Sequence, residues 1–140
     1  MKIAVSACLL GKNCKYNGGN NYNKKLVEFL KNHQVISLCP EVLGGLPTPR
    51  KPAEIVDGKV KLENGKSVDY EFKKGAQRAL KIVIDNQVDL VILQSRSPSC
   101  GVNKIYDGSF SDKLIDGKGV FAKLLEESDI DVIDVEDLYD

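Results

Sequence analysis

Three of the four cysteines, Cys8, Cys39 and Cys100, each stand at the end of an apolar run and beside a loop rich in Gly, Pro or Ser. The runs are Lys2 to Ala7, Gln34 to Leu38 and Val88 to Leu93. Deprotonated thiols are soft ligands that suit zinc or an iron–sulfur cluster. The carboxyl ends of strands in an open parallel sheet share one edge, and ligands bind there. If the three runs are such strands, thiols remote in sequence converge in space and form a metal site.

His33 is the one histidine, and no CxxC pair is present. The local signature of a zinc ribbon or a thioredoxin-type centre is therefore missing. Tetrahedral zinc would need four thiolates, or three with a carboxylate or water. Cys14, in the Gly-rich stretch after Cys8, decides which. With all four cysteines ligating, the site is closed and structural or electron-transferring. With Cys14 a spectator, which is the favoured assignment, three thiolates leave one metal position open to a substrate. Taken singly, each cysteine has a blander explanation, since free cysteines are common in cores. Three equivalent strand-end positions weaken that explanation.

Other polar groups cluster around the same loops. Glu41 lies two residues beyond Cys39 across Pro40, where a partly desolvated carboxylate near a metal can donate or accept a proton; a plain surface or helix-initiating glutamate is an equal alternative. Ser97 and Ser99 flank Pro98 just before Cys100 and offer hydroxyls to a substrate or water, against the ordinary turn chemistry of Ser and Pro. Arg50 and Lys51 follow the Gly- and Pro-rich stretch 44–49 and could meet an anion or remain a solvated pair. Tyr16, Tyr106 and Phe110 could stack on a planar base or simply pack.

These residues need a scaffold. Lys2 to Ser6 reads as a buried strand and Cys8 to Asn21 as a loop. Asn23 caps a helix to about Lys31, Gln34 to Leu38 is a second strand, and Cys39 to Lys51 is a long loop of the kind that usually carries function. Glu54 to Val68, with Asp57-Gly58 and Asn64-Gly65, reads as an antiparallel ribbon. Phe72, Ala76, Ala79, Leu80, Val83 and Ile84 repeat at helical spacing within a helix over Asp69 to Asn86. Val88 to Gln94 is the most hydrophobic strand, and Ile105 to Gly119 a loop or hairpin. Val120 to Glu127 is a helix, Ile130 to Val135 a last strand and Glu136 to Asp140 a short tail. Alternating strands and helices imply an α/β fold: a Rossmann-like, mainly parallel sheet with crossover helices and a small β-hairpin insertion, as one domain over 1–140.

The chain has 140 residues with 20 Lys plus Arg against 20 Asp plus Glu, a net charge of zero that offers no overall grip on a nucleic-acid backbone. No stretch approaches the roughly 20 apolar residues that span a bilayer. The start MKIAVSACLLG superficially resembles a leader peptide, but Ser6 and Cys8 interrupt its apolar run and Lys2 is its one basic residue. A cytoplasmic protein is expected, in a compartment where cysteine clusters bind metal or do chemistry more often than they form disulfides.

Four motifs, SACLLG at Ser6 to Gly11, CPEVLGGLPTPR at Cys39 to Arg50, SPSCG at Ser97 to Gly101 and YDGSF at Tyr106 to Phe110, resemble the small bacterial thiouracil desulfidase family (DUF523) over nearly the whole chain. The resemblance implies a [4Fe–4S] cluster held by Cys8, Cys39 and Cys100, with the fourth iron free for a thiocarbonyl sulfur. It implies that Glu41 and Ser97 handle protons and water. From their own chemistry, Ser99, Arg50 and Tyr106 are expected against the substrate. The net reaction would replace C=S by C=O and release sulfide without redox change. Lys15 and Asn17 stand where the family pattern has an arginine and an aspartate. The expected partner is a small thiolated pyrimidine, as free base, nucleoside or nucleotide, with thiolated RNA left open and no membrane or DNA. The alternative is a non-catalytic zinc- or cluster-stabilised module that binds a nucleotide. A flavodoxin-like domain with incidental thiols fits less well, because no GxGxxG follows the first strand.

Overall fold

Ile3 and Val5 point to one face of the first strand and Ala4 to the other, and all three are inaccessible to solvent. A strand buried on both faces belongs in the middle of a covered parallel sheet. The computed structural model describes residues 1–138 and places this strand, β1 (Lys2–Ser6), between two parallel neighbours. A short 3-10 turn, Ala7–Leu10, follows, and then α1 (Lys24–Leu30), whose Leu26 N–H is accepted by the Asn23 side chain at 3.0 Å, the expected cap. The chain continues through β2 (Gln34–Leu38), α2 (Pro40–Leu43), the ribbon β3 (Ala53–Val56) and β4 (Lys59–Leu62), and α3 (Asp69–Asp85). It ends with β5 (Leu90–Leu93), a second ribbon of β6 (Lys104–Tyr106) and β7 (Leu114–Asp116), α4 (Val120–Glu127), β8 (Val132–Asp134) and a 3-10 turn, Val135–Asp137.

The main sheet has the order β2-β1-β5-β8, parallel throughout, with two antiparallel ribbons beside it. This is the α/β architecture that the alternation of patterns predicts. Its core is divided by the pleat, since successive strand side chains face opposite sides. Ala4, Val91 and Leu93 pack with Ala76, Ala79 and Val83 of α3 and with Phe121, Ala122 and Leu125 of α4. Ile3, Val5 and Ile92 pack with Leu26 and Leu30 of α1. The chain leaves β1 towards β2 on one side and returns to β5 on the other, so the strand order reverses between β1 and β5. In open α/β sheets such a reversal opens a crevice at the carboxyl edge.

Three local departures from the sequence pattern have physical causes. The loop 39–51 begins as a helical turn, because Pro40 has no N–H to lose at the first helical position. The strand predicted from Val88 starts at Leu90, because the Val88 N–H bonds back to the Val83 carbonyl at 3.1 Å in the close of α3. The strand predicted over Ile130 to Val135 is shortened to Val132–Asp134, where the Asp134 carboxylate caps the following turn by accepting the Glu136 N–H at 2.8 Å. Of the predicted tail, residues 139–140 lie outside the described part. No helix among the described residues is long and apolar enough to cross a membrane.

One helix contact bears directly on the site. A Cβ on Gly75 of α3 would sit 1.8 Å from the Pro40 carbonyl oxygen, and one on Gly44 would sit 2.0 Å from the Glu71 carbonyl oxygen. Backbone therefore lies against backbone where α2 meets α3, a distance only Gly permits. That contact sets where Cys39 and Glu41 stand.

Candidate active site at the carboxyl edge of the sheet

Cys8 lies in the turn after β1, Cys39 is the extended residue that caps α2 after β2, and Cys100 lies in the loop after β5. Cys8 and Cys100 thus flank the β1/β5 reversal, with Cys39 one strand away. All three, together with Cys14, line one cavity of about 440 Å³ and are free thiols. The volume suits a small ligand. His33 is not among the residues lining it; it stacks on Phe29, with ring centroids 5.2 Å apart.

Each thiol has a distinct setting. Cys100 is buried, and desolvation pushes its thiol up to about 12. The Cys39 thiol is held well above its ordinary value, first by its hydrogen bond to Cys14 and then by burial. Cys8 is lowered, chiefly because Cys14 hydrogen-bonds to it, and Asn21 Nδ2 donates to its sulfur at 3.5 Å. Cys14 therefore stands beside both Cys8 and Cys39 in the cavity, a placement sequence spacing did not show. Among the described residues, however, no three His, Cys, Asp or Glu side chains converge as ligands of a single metal ion. A multi-iron cluster holds its thiolates on different irons, so thiols distributed around a cavity suit it better than they suit lone zinc. Soft donors without imidazole also fit that group.

Glu41 sits between two polar partners. Arg50 Nε donates to its Oε1 at 3.1 Å and the Ser99 hydroxyl donates to its Oε2 at 2.8 Å. The ion pair is largely buried, with side-chain exposures of 8% for Arg50 and 16% for Glu41. The rest of the guanidinium donates to the Pro47 carbonyl and Thr48 Oγ1, both at 3.1 Å, and to the Cys14 carbonyl at 2.8 Å. The Arg50 N–H bonds to the Tyr16 carbonyl at 2.6 Å. One arginine thus ties the first loop, the Gly- and Pro-rich loop and the carboxylate together. Ser97 Oγ accepts the N–H groups of Ser99 and Cys100 at 3.1 and 3.0 Å, which shapes the turn that presents Cys100.

The outer part of the cavity comes from elsewhere. Tyr16 and Lys15 reach it from the first loop, Tyr106 and Phe110 from the β6–β7 ribbon, and Arg96 from the loop after β5. Glu54 of β3 holds the ribbon loop by accepting the N–H groups of Gly108 and Phe110 at 3.0 and 3.2 Å. Lys51 is exposed and is not among the residues lining the cavity. Asn21 and Glu54 were not singled out from sequence. Asn21 sits among four asparagines over 17–23 with nothing to separate it, and Glu54 sits in what reads as an ordinary ribbon.

A family profile described as "2-thiouracil desulfurase" matches residues 3–137. The chain is 38% identical to "Uncharacterized protein YbbK" of Bacillus subtilis (strain 168), over 99% of this chain and 98% of that protein. It is similar to a solved structure titled "[4Fe-4S]-dependent thiouracil desulfidase TudS (DUF523Vcz)", with a TM-score of 0.93 and 38% identity, covering 99% of this chain and 93% of that one.

Proposed function

Since the chain belongs to the 2-thiouracil desulfurase family, whose enzymes cleave a carbon–sulfur bond, we propose that residues 1–140 act as one unit that replaces the thiocarbonyl sulfur of a thiolated pyrimidine with oxygen. In this reading Cys8, Cys39 and Cys100 hold a [4Fe–4S] cluster. When bound, the cluster supplies an iron with an open coordination position, a Lewis acid for the substrate's sulfur. The carrying observation is that these three thiols and Glu41 line one cavity at the strand-order reversal.

The protein's own residues supply the rest. A pyrimidine in the cavity has Tyr106 on one wall as an aromatic surface. Glu41, with Oε1 on Arg50 and Oε2 on Ser99, is placed to take the proton that water loses on attacking the carbon. Ser97 contributes its hydroxyl to the same proton transfer. The atoms balance as C=S plus water giving C=O plus hydrogen sulfide, with no change of oxidation state. Arg50 and Ser99, expected from sequence beside the substrate, spend hydrogen bonds on Glu41.

Anaerobic reconstitution with iron and sulfide, followed by a sulfide-release assay on 2- and 4-thiouracil and their nucleotides, tests the reading. A brown protein that releases sulfide is expected. A colourless protein holding stoichiometric zinc and releasing none would overturn it.

A further inference from the structure

A serine hydroxyl has one hydrogen and two lone pairs. Ser97 Oγ accepts from the N–H groups of Ser99 and Cys100, which uses both lone pairs and leaves its hydrogen to be donated. Ser99 Oγ lies 2.9 Å away. Ser99 Oγ in turn donates to Glu41 Oε2 at 2.8 Å. The single Ser99 hydrogen therefore goes to Glu41 and not to Cys100 Sγ, which is 3.6 Å away. Lone-pair counting leaves one arrangement: Ser97 donates to Ser99, and Ser99 donates to Glu41.

We propose that these three side chains form a directed proton path from the cavity to the carboxylate, with Ser99 as its link and Arg50 as the positioning residue behind it. The proposal rests on the desulfidase reading, which requires water to lose a proton in this cavity. As the Ser99 proton passes to Glu41 Oε2, the Ser97 proton passes to Ser99, and Ser97 Oγ gains a lone pair with which to take a proton from water. Each hydroxyl loses one proton and gains one, and Glu41 ends neutral. As the C–S bond breaks and C=O forms, the Glu41 proton and the remaining proton of the attacking water leave with the sulfur as hydrogen sulfide. Two backbone N–H groups on Ser97 Oγ stabilise the negative charge that develops there, the device of an oxyanion hole. Arg50 occupies Oε1 and so reserves Oε2 for Ser99. Its other hydrogen bonds run to Pro47, Thr48 and Cys14, so a buried guanidinium engaged on four sides is a clamp for Glu41 and not a receptor for a substrate anion.

The test uses cluster-loaded protein and 2-thiouracil. Ser99→Ala is expected to keep the cluster absorbance and KM while kcat falls about 100-fold, the lower end for a lost proton-transfer group. In mixtures of light and heavy water the wild-type rate should depend non-linearly on deuterium fraction, because several protons move together, and Ser99→Ala should make the dependence linear. Arg50→Lys, which keeps the charge but loses the fork, should lower kcat with KM unchanged. Wild-type kcat in Ser99→Ala, or a raised KM with unchanged kcat in either variant, overturns the path. Infrared spectroscopy decides the geometry without turnover: the carboxylate band lost in Glu41→Gln should shift in Ser99→Ala. An unshifted band overturns the link. Wild-type protein that releases no sulfide while the band does shift would sink the desulfidase reading alone.

Discussion

The inner wall and the outer rim of the cavity are built in different ways. On the wall, Arg50 and Glu41 are nearly buried, Ser99 and Cys100 are buried, and their polar atoms are joined in one connected network. On the rim, Tyr16 is 44% exposed, and Asp112 is exposed as well. The wall rests on strand ends and on the backbone contact between α2 and α3. The rim consists of a loop and a ribbon outside the main sheet. Buried, mutually satisfied polar groups hold one geometry because an unpaired one is costly there. Bond-making chemistry needs that constancy, whereas substrate choice tolerates exposed parts that adjust.

If this contrast is correct, damage to the wall should cost far more than damage to the rim. The largest loss is expected for Cys39→Ala or Cys100→Ala, which should reduce bound iron after reconstitution to background and abolish sulfide release; retained iron would remove that thiol from the ligand set. Glu41→Gln should keep the brown colour while kcat falls by about 10²- to 10⁴-fold. Gly75→Ala tests the scaffold behind the wall: the new methyl meets the Pro40 carbonyl, and overpacking of this kind costs about 1–3 kcal/mol, measured by denaturant unfolding. On the rim, Tyr16→Ala should raise KM by about tenfold or less at unchanged kcat, the size of a lost aromatic contact. An equal fall in kcat would erase the distinction between wall and rim.

The smallest effect concerns how the β3–β4 ribbon, and through Glu54 the rim, is tied to α3. Asp69 Oδ1 accepts the Val60 N–H at 3.1 Å and Oδ2 pairs with Lys73 at 2.7 Å. Burial opposes ionisation of Asp69, but the Lys73 and Val60 hydrogen bonds outweigh it and hold the carboxyl below its ordinary value. A carboxyl lowered by folding stabilises above the unfolded value of about 3.9. That contribution is lost as pH falls through the folded value. Asp69→Asn should therefore lower the unfolding midpoint at pH 7, and its difference from the wild type should shrink as pH falls below the ordinary carboxylate range.

Much of the scaffold was legible because its signals are local. Asn23 caps α1 where a short polar acceptor precedes an apolar face, and Phe72, Ala76, Ala79 and Val83 mark the buried stripe of α3. The turn at Pro40 was hidden because four helical residues carry too little periodicity to register. The placement of Cys14 beside Cys8 and Cys39, and the contact of Asn21 with Cys8, were hidden for another reason. A loop without regular structure does not tell in advance which side its residues face.

Sequence by itself determined that three thiols would stand at strand ends beside Glu41 and a pair of serines, because strand ends are marked by the apolar runs that precede them. It also assigned the chain to a desulfidase family through four motifs in order. Tertiary structure decided that Arg50 and Ser99 share Glu41 between its two oxygens, and that the Ser97 and Ser99 hydroxyls meet 2.9 Å apart. Such pairings depend on strand order and on the approach of α2 to α3. Hydrogen-bond partners are chosen by distances of about 3 Å in space, and residues as far apart as Glu41 and Ser99 acquire that distance only when the sheet closes around them.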